Sequence, residues 1–324
     1  MNKVQRFALV STIFGLMVPV FAGAQESAPS KRAFKLTVLD PKFSELIAPG
    51  TKLQTMGTGF GFTEGPVWDR AGFLWVSDEE QNQIYRLYPD GHREEMIALG
   101  DPDGSTYDRA HRLVDCASVL RAIIRLSLDG KSYTVMADRY QGKRFNSPND
   151  IVMGPDGAFY FTDPTLDLPK GQTQEIPFQG VYRMDKSGDV QLLTKDLTQP
   201  NGLAFSPDGR YLYIDDSATK AIWVYRFHPD GSISDGRTFG VEDGAPEEGV
   251  PDGMRVDKAG NLFVVGPKGI WIWSALGVHL GTIELPEQPA NLAWGGPDSS
   301  MLYITATRSV YTIQTHTRGF IPYD

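Results

Sequence analysis

The feature of this chain that most constrains its fold is an oxygen-bearing side chain that recurs six times along it. Each time it stands eight positions before a turn residue, and a short, mostly apolar segment lies between the two. A second apolar run follows most of these turns, so the chain repeats one structural unit. The six recurrent positions are Glu64, Asp103, Asn149, Asn201, Asp252 and Asn291.

Each unit also carries a segment rich in β-branched and aromatic residues, such as Ile84-Tyr85-Arg86-Leu87 or Val224-Tyr225-Arg226-Phe227, usually before a glycine turn. These segments predict strands joined by tight turns. The recurrent positions are 39, 46, 52, 51 and 39 residues apart, and a four-stranded propeller blade needs about 40–50 residues. The pattern predicts an all-β fold, a six-bladed β-propeller, because the alternative β-sandwich would not explain a fixed offset repeated six times.

In a propeller the first strand of each blade lines a central channel, and the loop that enters this strand opens at one mouth. The recurrent positions precede these first strands. We therefore expect them to converge at one mouth, although Glu64 and Asn291 are 227 residues apart in sequence. We also expect the N-terminal segment 34–38 to complete the last blade, so that no sheet edge stays exposed.

The six recurrent side chains all offer a carboxylate or amide oxygen, and none is a cysteine or histidine. Such hard ligands favour Ca²⁺, Mg²⁺ or Mn²⁺ over softer metals, and the five histidines show no spacing typical of a zinc site. The alternative is that Asn and Asp stand before strands because they cap turns. Glu64 does not fit that alternative, since glutamate is a poor turn former. The positions therefore predict a metal-binding channel.

The composition and the N-terminus limit the possible compartments and partners. Residues 1–24 combine Lys3 and Arg6, an apolar run and Ala22-Gly23-Ala24, which is typical of a cleavable signal peptide. We expect a periplasmic or secreted protein with one domain over residues 25–324 and no membrane attachment after cleavage. The formal net charge of −9 argues against nucleic acid as a partner. The single cysteine, Cys116, excludes an internal disulfide.

Five segments together resemble the senescence marker protein/gluconolactonase/luciferin-regenerating enzyme family, and the resemblance extends over about residues 51–312. The segments are Thr63-Glu64-Gly65-Pro66, Arg144-Phe145-Asn146-Ser147-Pro148-Asn149-Asp150, Phe161-Thr162-Asp163-Pro164, Pro200-Asn201-Gly202-Leu203 and Pro251-Asp252-Gly253-Met254. The resemblance implies a six-bladed propeller with one divalent cation in its channel. It also implies hydrolysis of lactones, and relatives in this family hydrolyse organophosphates.

The resemblance also implies roles for individual residues. Glu64, Asn201 and Asp252 would bind the cation, which we expect to be Ca²⁺, with Mg²⁺, Mn²⁺ or Zn²⁺ as alternatives. Asn149 would be a further ligand or a substrate contact, and Asp252 would also be the catalytic base. Arg144 is a candidate for binding the substrate, and Asp150 is a second carboxylate near the substrate that could accept the proton of the attacking water.

The second unit departs from the family pattern. Bacterial gluconolactonase-like members usually carry Asn-Gly and then Cys-Glu-His-Gly there, whereas this chain has Asp103-Gly104 and Cys116-Ala117-Ser118-Val119, without the histidine. The segment 105–112 is also unusually polar for an inner strand. We therefore interpret the second blade as degenerate, and Asp103 as a turn residue rather than a third charge at the axis.

The prediction is a metal-dependent hydrolase that opens a sugar lactone, as a gluconolactonase does, to its hydroxy acid. One alternative is a calcium-dependent organophosphate or aryl-ester hydrolase with the same ligands and a more apolar pocket. The polar, acidic loops 166–179 and 241–249 favour a sugar. The other alternative is a propeller that binds a ligand without catalysis, which the degenerate second blade would favour. The presence of Glu64, Asn201 and Asp252 argues against it, because a pure scaffold needs no such trio.

Overall fold

The computed structural model describes residues 32–323, and β-strands dominate this part of the chain. The predicted signal peptide, residues 1–24, lies outside the described residues. The described chain begins with strand β1 (Lys35–Val38), the short helix α1 (Lys42–Leu46) and strand β2 (Gln54–Thr58). No helix within residues 32–323 is long and apolar enough to cross a membrane.

Six antiparallel sheets follow in chain order, and each is built from four consecutive strands or, in the last case, three. Blade 1 contains β3 (Thr63–Asp69), β4 (Phe73–Asp78), β5 (Gln83–Leu87) and β6 (Arg93–Ala98). Blade 2 contains β7 (Pro102–Tyr107), β8 (Leu113–Ala117), β9 (Ala122–Leu126) and β10 (Tyr133–Ala137). A hairpin of β11 (Arg139–Tyr140) and β12 (Lys143–Arg144) separates it from blade 3.

The remaining blades repeat this pattern. Blade 3 contains β13 (Ile151–Met153), β14 (Phe159–Asp163), β15 (Gly180–Met184) and β16 (Val190–Thr194). Blade 4 contains β17 (Pro200–Phe205), β18 (Tyr211–Asp216), β19 (Ala221–Phe227) and β20 (Ile233–Val241). After a 3₁₀ turn (Pro246–Glu248), blade 5 contains β21 (Met254–Val256), β22 (Leu262–Gly266), β23 (Gly269–Trp273) and β24 (His279–Glu284). Blade 6 contains β25 (Pro289–Gly295), β26 (Met301–Ala306) and β27 (Ser309–Gln314).

The N-terminal strand that completes blade 6 is β2, whose Gln54 and Thr58 lie opposite Thr312 and Ser309 of β27. The expectation that segment 34–38 does this is wrong, because β1 pairs with β24 and becomes a fifth strand of blade 5. The polar pattern of β2 does not resemble a strand in the sequence, since only Met56 is buried in it.

Six hydrophobic clusters hold the blades together, and each cluster joins one pair of neighbouring blades. The cluster between blades 6 and 1 packs Met56 of β2 and Tyr303 against Leu74 and Val76. Since the last blade packs on the first as the others pack on one another, the sheets form a closed ring. The prediction of a six-bladed β-propeller is confirmed.

The inner strands β3, β7, β13, β17, β21 and β25 line the channel, and the C-terminal segment covers one of its mouths. Phe320 donates its backbone N–H to Val256 at the end of β21, and Gly319 forms a bridge with Asp257. A cavity of about 40 Å³ remains between the inner strands and residues 320–323. Because inner strands end at this mouth and begin at the other, the recurrent positions lie at the opposite end of the channel.

The closure by β2 can be tested with Met56→Asp. The change would place an unpaired carboxylate in the cluster between blades 6 and 1, and we expect a loss of about 3 kcal/mol or more in the free energy of unfolding. Thr55→Asp, at the exposed neighbouring position, is the matched control and should stay within about 0.5 kcal/mol of the wild type. Equal denaturation midpoints for the two variants would contradict this role of β2.

Candidate functional site

The structure brings the six recurrent side chains together at one mouth of the channel. Four of them are followed by a glycine, and two of these glycines show how close neighbouring blades approach. A Cβ atom on Gly202 would lie 2.1 Å from the carbonyl oxygen of Asp252, and one on Gly253 would lie 2.1 Å from the Asn291 side chain. Glycine at these places lets adjacent inner strands meet. The predicted convergence of the recurrent positions is therefore confirmed.

Three amide–carboxylate pairs connect the recurrent side chains between adjacent blades. Asn149 donates its Nδ2 to Asp103 Oδ2 over 2.8 Å, and Asn291 donates its Nδ2 to Glu64 Oε2 over 2.9 Å. The amide of Asn201 lies near the Asp252 carboxylate, where it favours the charged form and so lowers the Asp252 pKa. Each pair directs the amide nitrogen to the neighbouring acid, and this fixes the orientation of the amide oxygen.

Asn201 has a buried oxygen without a donor. Its Nδ2 also lies 3.1 Å from the Oγ of Ser217, whose hydroxyl donates to the carbonyl of Pro251 over 2.7 Å. Its Oδ1 has no hydrogen-bond partner within residues 32–323. A buried acceptor without a donor is costly. An electrophile such as a metal ion would remove that cost.

Glu64 lies close enough to Asp252 to raise the cost of ionising it. Glu64 is 3 % exposed and accepts the N–H of Gly65. Burial, and next the charge of Asp150, raise the pKa of Glu64 to about 8. Asp252 keeps partial exposure, and its pKa is raised well above the ordinary value by burial and then by Glu64. Both carboxylates therefore need a counter-charge to be ionised together at neutral pH.

Asp103 belongs to this cluster, and its interpretation as a turn residue is wrong. It is 2 % exposed, and besides the amide of Asn149 the hydroxyl of Ser118 lies 3.0 Å from its Oδ2. Burial, and then the charges of Glu79 and Glu64, raise its pKa well above the ordinary value. A third carboxyl group therefore lies at the axis with those of Glu64 and Asp252.

Blade 2 has all four strands and is not degenerate. The inner strand β7 ends at Tyr107, and every residue in it is buried. The polar residues after it form a turn, in which Asp108 Oδ1 accepts the N–H groups of Ala110 and Arg112. The polarity of segment 105–112 in the sequence thus comes largely from this turn.

The structure places the two other predicted substrate contacts differently. Asp150 is 1 % exposed and lies 3.7 Å from Arg255, a cation that lines the channel cavity, and burial raises the Asp150 pKa. Asp150 is therefore below the mouth rather than at it. Arg144 lies in β12, where its guanidinium donates to the carbonyl of Leu120 over 2.7 Å. Within residues 32–323 no hydrogen bond or ion pair joins Arg144 to the recurrent side chains.

Three acids that sequence reasoning missed also act on this mouth. Asp167 lies on the long connection between β14 and β15; burial raises its pKa, and the nearby Asn149 amide lowers it in part. Glu79 follows β4, and burial and then Glu64 and Asp167 raise its pKa well above the ordinary value. Burial and Asp167 raise the pKa of Asp101 to about 6. None of the three stands at a repeated offset, so only loop composition could have indicated them.

Known proteins resemble this chain over most of its length. The gluconolactonase of Zymomonas mobilis is 33% identical over 312 residues, which cover 88% of this chain and 87% of that protein. A pentonolactonase of Haloferax volcanii is 28% identical over 266 residues, which cover 79% and 84%. The solved structure of a gluconolactonase from Xanthomonas campestris superposes with a TM-score of 0.81 at 29% identity, covering 88% of this chain and 96% of that one.

The family assignment rests on the segment that contains all six recurrent positions. Residues 62–308 match the SMP-30/Gluconolactonase/LRE-like region. This range begins just before β3 and ends between β26 and β27, so it spans the repeated part of the propeller. The chain therefore belongs to the SMP-30/gluconolactonase/LRE-like family.

Proposed function

We propose that this protein is a metal-dependent hydrolase that opens a sugar lactone to its hydroxy acid. The observation that carries the proposal is a set of buried oxygens at one channel mouth: the repelling carboxylates of Glu64 and Asp252, and the unpaired Oδ1 of Asn201. A pure scaffold gains nothing from such a cluster, since it costs stability. The names of two relatives, a gluconolactonase and a pentonolactonase, support the lactone as substrate.

The donor set fits one divalent cation held by Glu64, Asn149, Asn201 and Asp252. All four offer oxygen, and two carboxylates neutralise a divalent charge, which favours Ca²⁺, with Mg²⁺, Mn²⁺ and Zn²⁺ as alternatives. The contact between Asn149 Nδ2 and Asp103 leaves the amide oxygen of Asn149 available. A cation held by these residues would act as a Lewis acid toward the lactone carbonyl oxygen.

Asp252 is proposed as the catalytic base. It keeps partial exposure while Glu64 and Asp103 are buried, and the amide of Asn201 orients its carboxylate. Asp252 accepts a proton from water as the water oxygen bonds to the lactone carbon. The ring C–O bond then breaks, and the proton returns from Asp252 to the leaving oxygen, which becomes the hydroxyl of the product. Asp150, which is buried beside Arg255, positions the cluster rather than touching substrate.

The surroundings of the mouth favour a hydroxylated substrate over an aryl ester. Asp101, Asp167 and Glu79 add acceptors that sugar hydroxyls can donate to. We propose Asn149 as a further contact of the sugar. An apolar aryl group would find few partners among these side chains.

The predicted signal peptide supports action outside the cytoplasm. We propose that residues 1–24 are removed on export and that the mature protein works in the periplasm or is secreted. Mass spectrometry of protein recovered from the periplasm should show an N-terminus at Gln25. Retention of Met1 in all the recovered protein would contradict the proposal.

The substrate and the metal can be tested together on metal-depleted protein. Gluconolactone, a pentonolactone and an aryl ester are offered while Ca²⁺, Mg²⁺, Mn²⁺ or Zn²⁺ is restored separately. Without metal we expect no turnover. With Ca²⁺ we expect the lactone to be opened, as measured by the proton released. Tight ion binding without turnover of any of the three substrates would instead support a non-catalytic propeller. Fast turnover of the aryl ester alone would support the alternative of an organophosphate or aryl-ester hydrolase.

Glu64→Gln and Asp252→Asn should each lower kcat/KM by roughly a thousandfold or more. Both replace a negatively charged ligand of the cation by a neutral amide, and Asp252→Asn also removes the base. Asp230→Asn, at an exposed turn, is the matched control and should leave kcat/KM unchanged. Circular dichroism should show the same fold for all three. Full activity in both Glu64→Gln and Asp252→Asn would refute this site.

The stability of the metal-free protein should fall as pH rises from about 5 to 8. The folded-state pKa of Glu64 is raised to about 8, and those of Asp103 and Asp252 are also raised. The folded protein therefore binds more protons than the unfolded chain in this range, and the stability these protons give is lost as they leave. Ca²⁺ should raise the melting temperature more at the upper pH than at the lower. A metal-free melting temperature that rises across this range would contradict the clustering.

A further inference from the structure

A basic pocket on the face opposite the recurrent positions lies between blades 2 and 3 and has no part in the proposed reaction. Its volume is about 320 Å³. The protein has a formal net charge of −9, yet the side chains in this pocket carry four positive charges and one negative one. The charged residues of this basic pocket are Asp108, Arg109, Arg112, Arg125 and Lys186.

Arg125 occupies a position that holds an arginine in several blades. In blade 1 Arg86 lies 3.7 Å from Glu94, the residue opposite it on the next strand. In blade 2 the residue opposite Arg125 is Thr134, which carries no charge. Blade 2 therefore has no acid at the position from which Glu94 pairs with the arginine of blade 1.

The acid that serves blade 3 is missing from blade 2 as well. Arg183 lies 2.7 Å from Asp156, which stands seven positions after the recurrent Asn149. Seven positions after the recurrent Asp103 this chain has Ala110. Arg125 is only partly exposed, so a positive charge is held in the fold without either of the acids that balance it elsewhere.

The other cations of the basic pocket are not all balanced either. Arg112 lies 2.7 Å from the Asp108 carboxylate, so this pair is neutral. Arg109 and Lys186 have no ion pair within residues 32–323. The Arg109 guanidinium approaches Gly157 of blade 3, with its Cζ 3.0 Å from where a Cβ would stand. Three positive charges therefore remain uncompensated in one pocket.

The corresponding pocket between blades 3 and 4 shows that the fold does not require this excess. It lies on the same face and contains Arg210 and Arg226, but also Asp156 and Asp208. Arg210 pairs with Asp208 over 2.6 Å. Its lining thus carries two arginines and two acids, of which Asp156 also pairs with Arg183 of blade 3, whereas the lining of the basic pocket carries three more cations than acids.

We propose that the basic pocket binds the oxyanion of a small phosphorylated or sulfated molecule. Guanidinium groups donate paired hydrogen bonds to the oxygens of such anions, and the anion supplies the charge that Arg125 lacks. Met153 and Phe159 line the same pocket and offer apolar contact to the body of the ligand. This site is separate from the proposed lactonase site, because it lies at the other end of the channel.

The test is titration of the full-length protein with inorganic phosphate and with sulfate, at constant ionic strength set with chloride and followed by calorimetry. Wild-type protein should bind, and Arg125→Gln and Arg109→Gln should each weaken binding about tenfold, the loss of one charged contact. Arg109 is exposed, so its variant remains informative if Arg125→Gln does not fold. Arg226→Gln and Arg210→Gln, in the charge-balanced pocket, should bind as the wild type does.

A last variant separates this site from the channel mouth. Glu64→Gln should bind phosphate as tightly as the wild type, because the basic pocket lies on the opposite face from Glu64. Phosphate bound through a metal ion at the recurrent positions would instead be lost in this variant. Absence of binding to wild-type protein, equal affinities in Arg109→Gln and Arg210→Gln, or loss of phosphate binding in Glu64→Gln would each overturn the proposal. Tighter binding of phosphate than of sulfate would identify the ligand class as phosphorylated, and the reverse as sulfated.

Discussion

The hydrogen bonds between amides and carboxylates of adjacent blades are the interaction on which the site depends. The bonds of Asn149 with Asp103 and of Asn291 with Glu64 each join one blade to the next. The amide of Asn201 in turn favours the charged form of Asp252 in the neighbouring blade. They hold several acids at one mouth by giving each a donor from its neighbour. Without these pairs the acids would repel one another into solvent, and the amide oxygens would have no fixed direction.

The cluster of carboxyl groups that suits a cation also lowers the stability of the folded state. Burial raises the pKa of Glu64, Asp103 and Asp252 together, so without a cation these acids favour bound protons over charge. The hydrophobic clusters between blades offset this loss of stability, because they join every blade to the next in a closed ring. The opposite face shows the reverse situation, because the pocket between blades 2 and 3 is lined by three more cations than acids. The propeller thus places two electrostatically opposite sites on its two faces.

The fold and much of the site were predictable because they depend on regular offsets. The spacing of the recurrent positions predicted six blades, and Glu64 among Asn and Asp residues predicted a charged site rather than turns. The choice of the closing strand was wrong, because β2 is a polar strand that only its pairing with β27 identifies. Asp103 was misread because a side chain that contacts the next blade looks, in sequence, like one that caps its own turn. Asp167 could not be predicted, since it reaches Asn149 from a loop outside the repeat.

The sequence by itself determined the number of blades, the all-β class and the chemical type of the recurrent side chains, because strand periodicity and turn residues are local properties that repeat. Only the tertiary structure decided which side chains face one another across blades. It paired Asn149 and Asn291 with acids and put Asp150 beside Arg255 below the mouth. Within residues 32–323 it left the oxygen of Asn201 without a donor and Arg125 without an ion pair. Contacts between residues 40 or more positions apart depend on how the blades pack, and no local pattern encodes them.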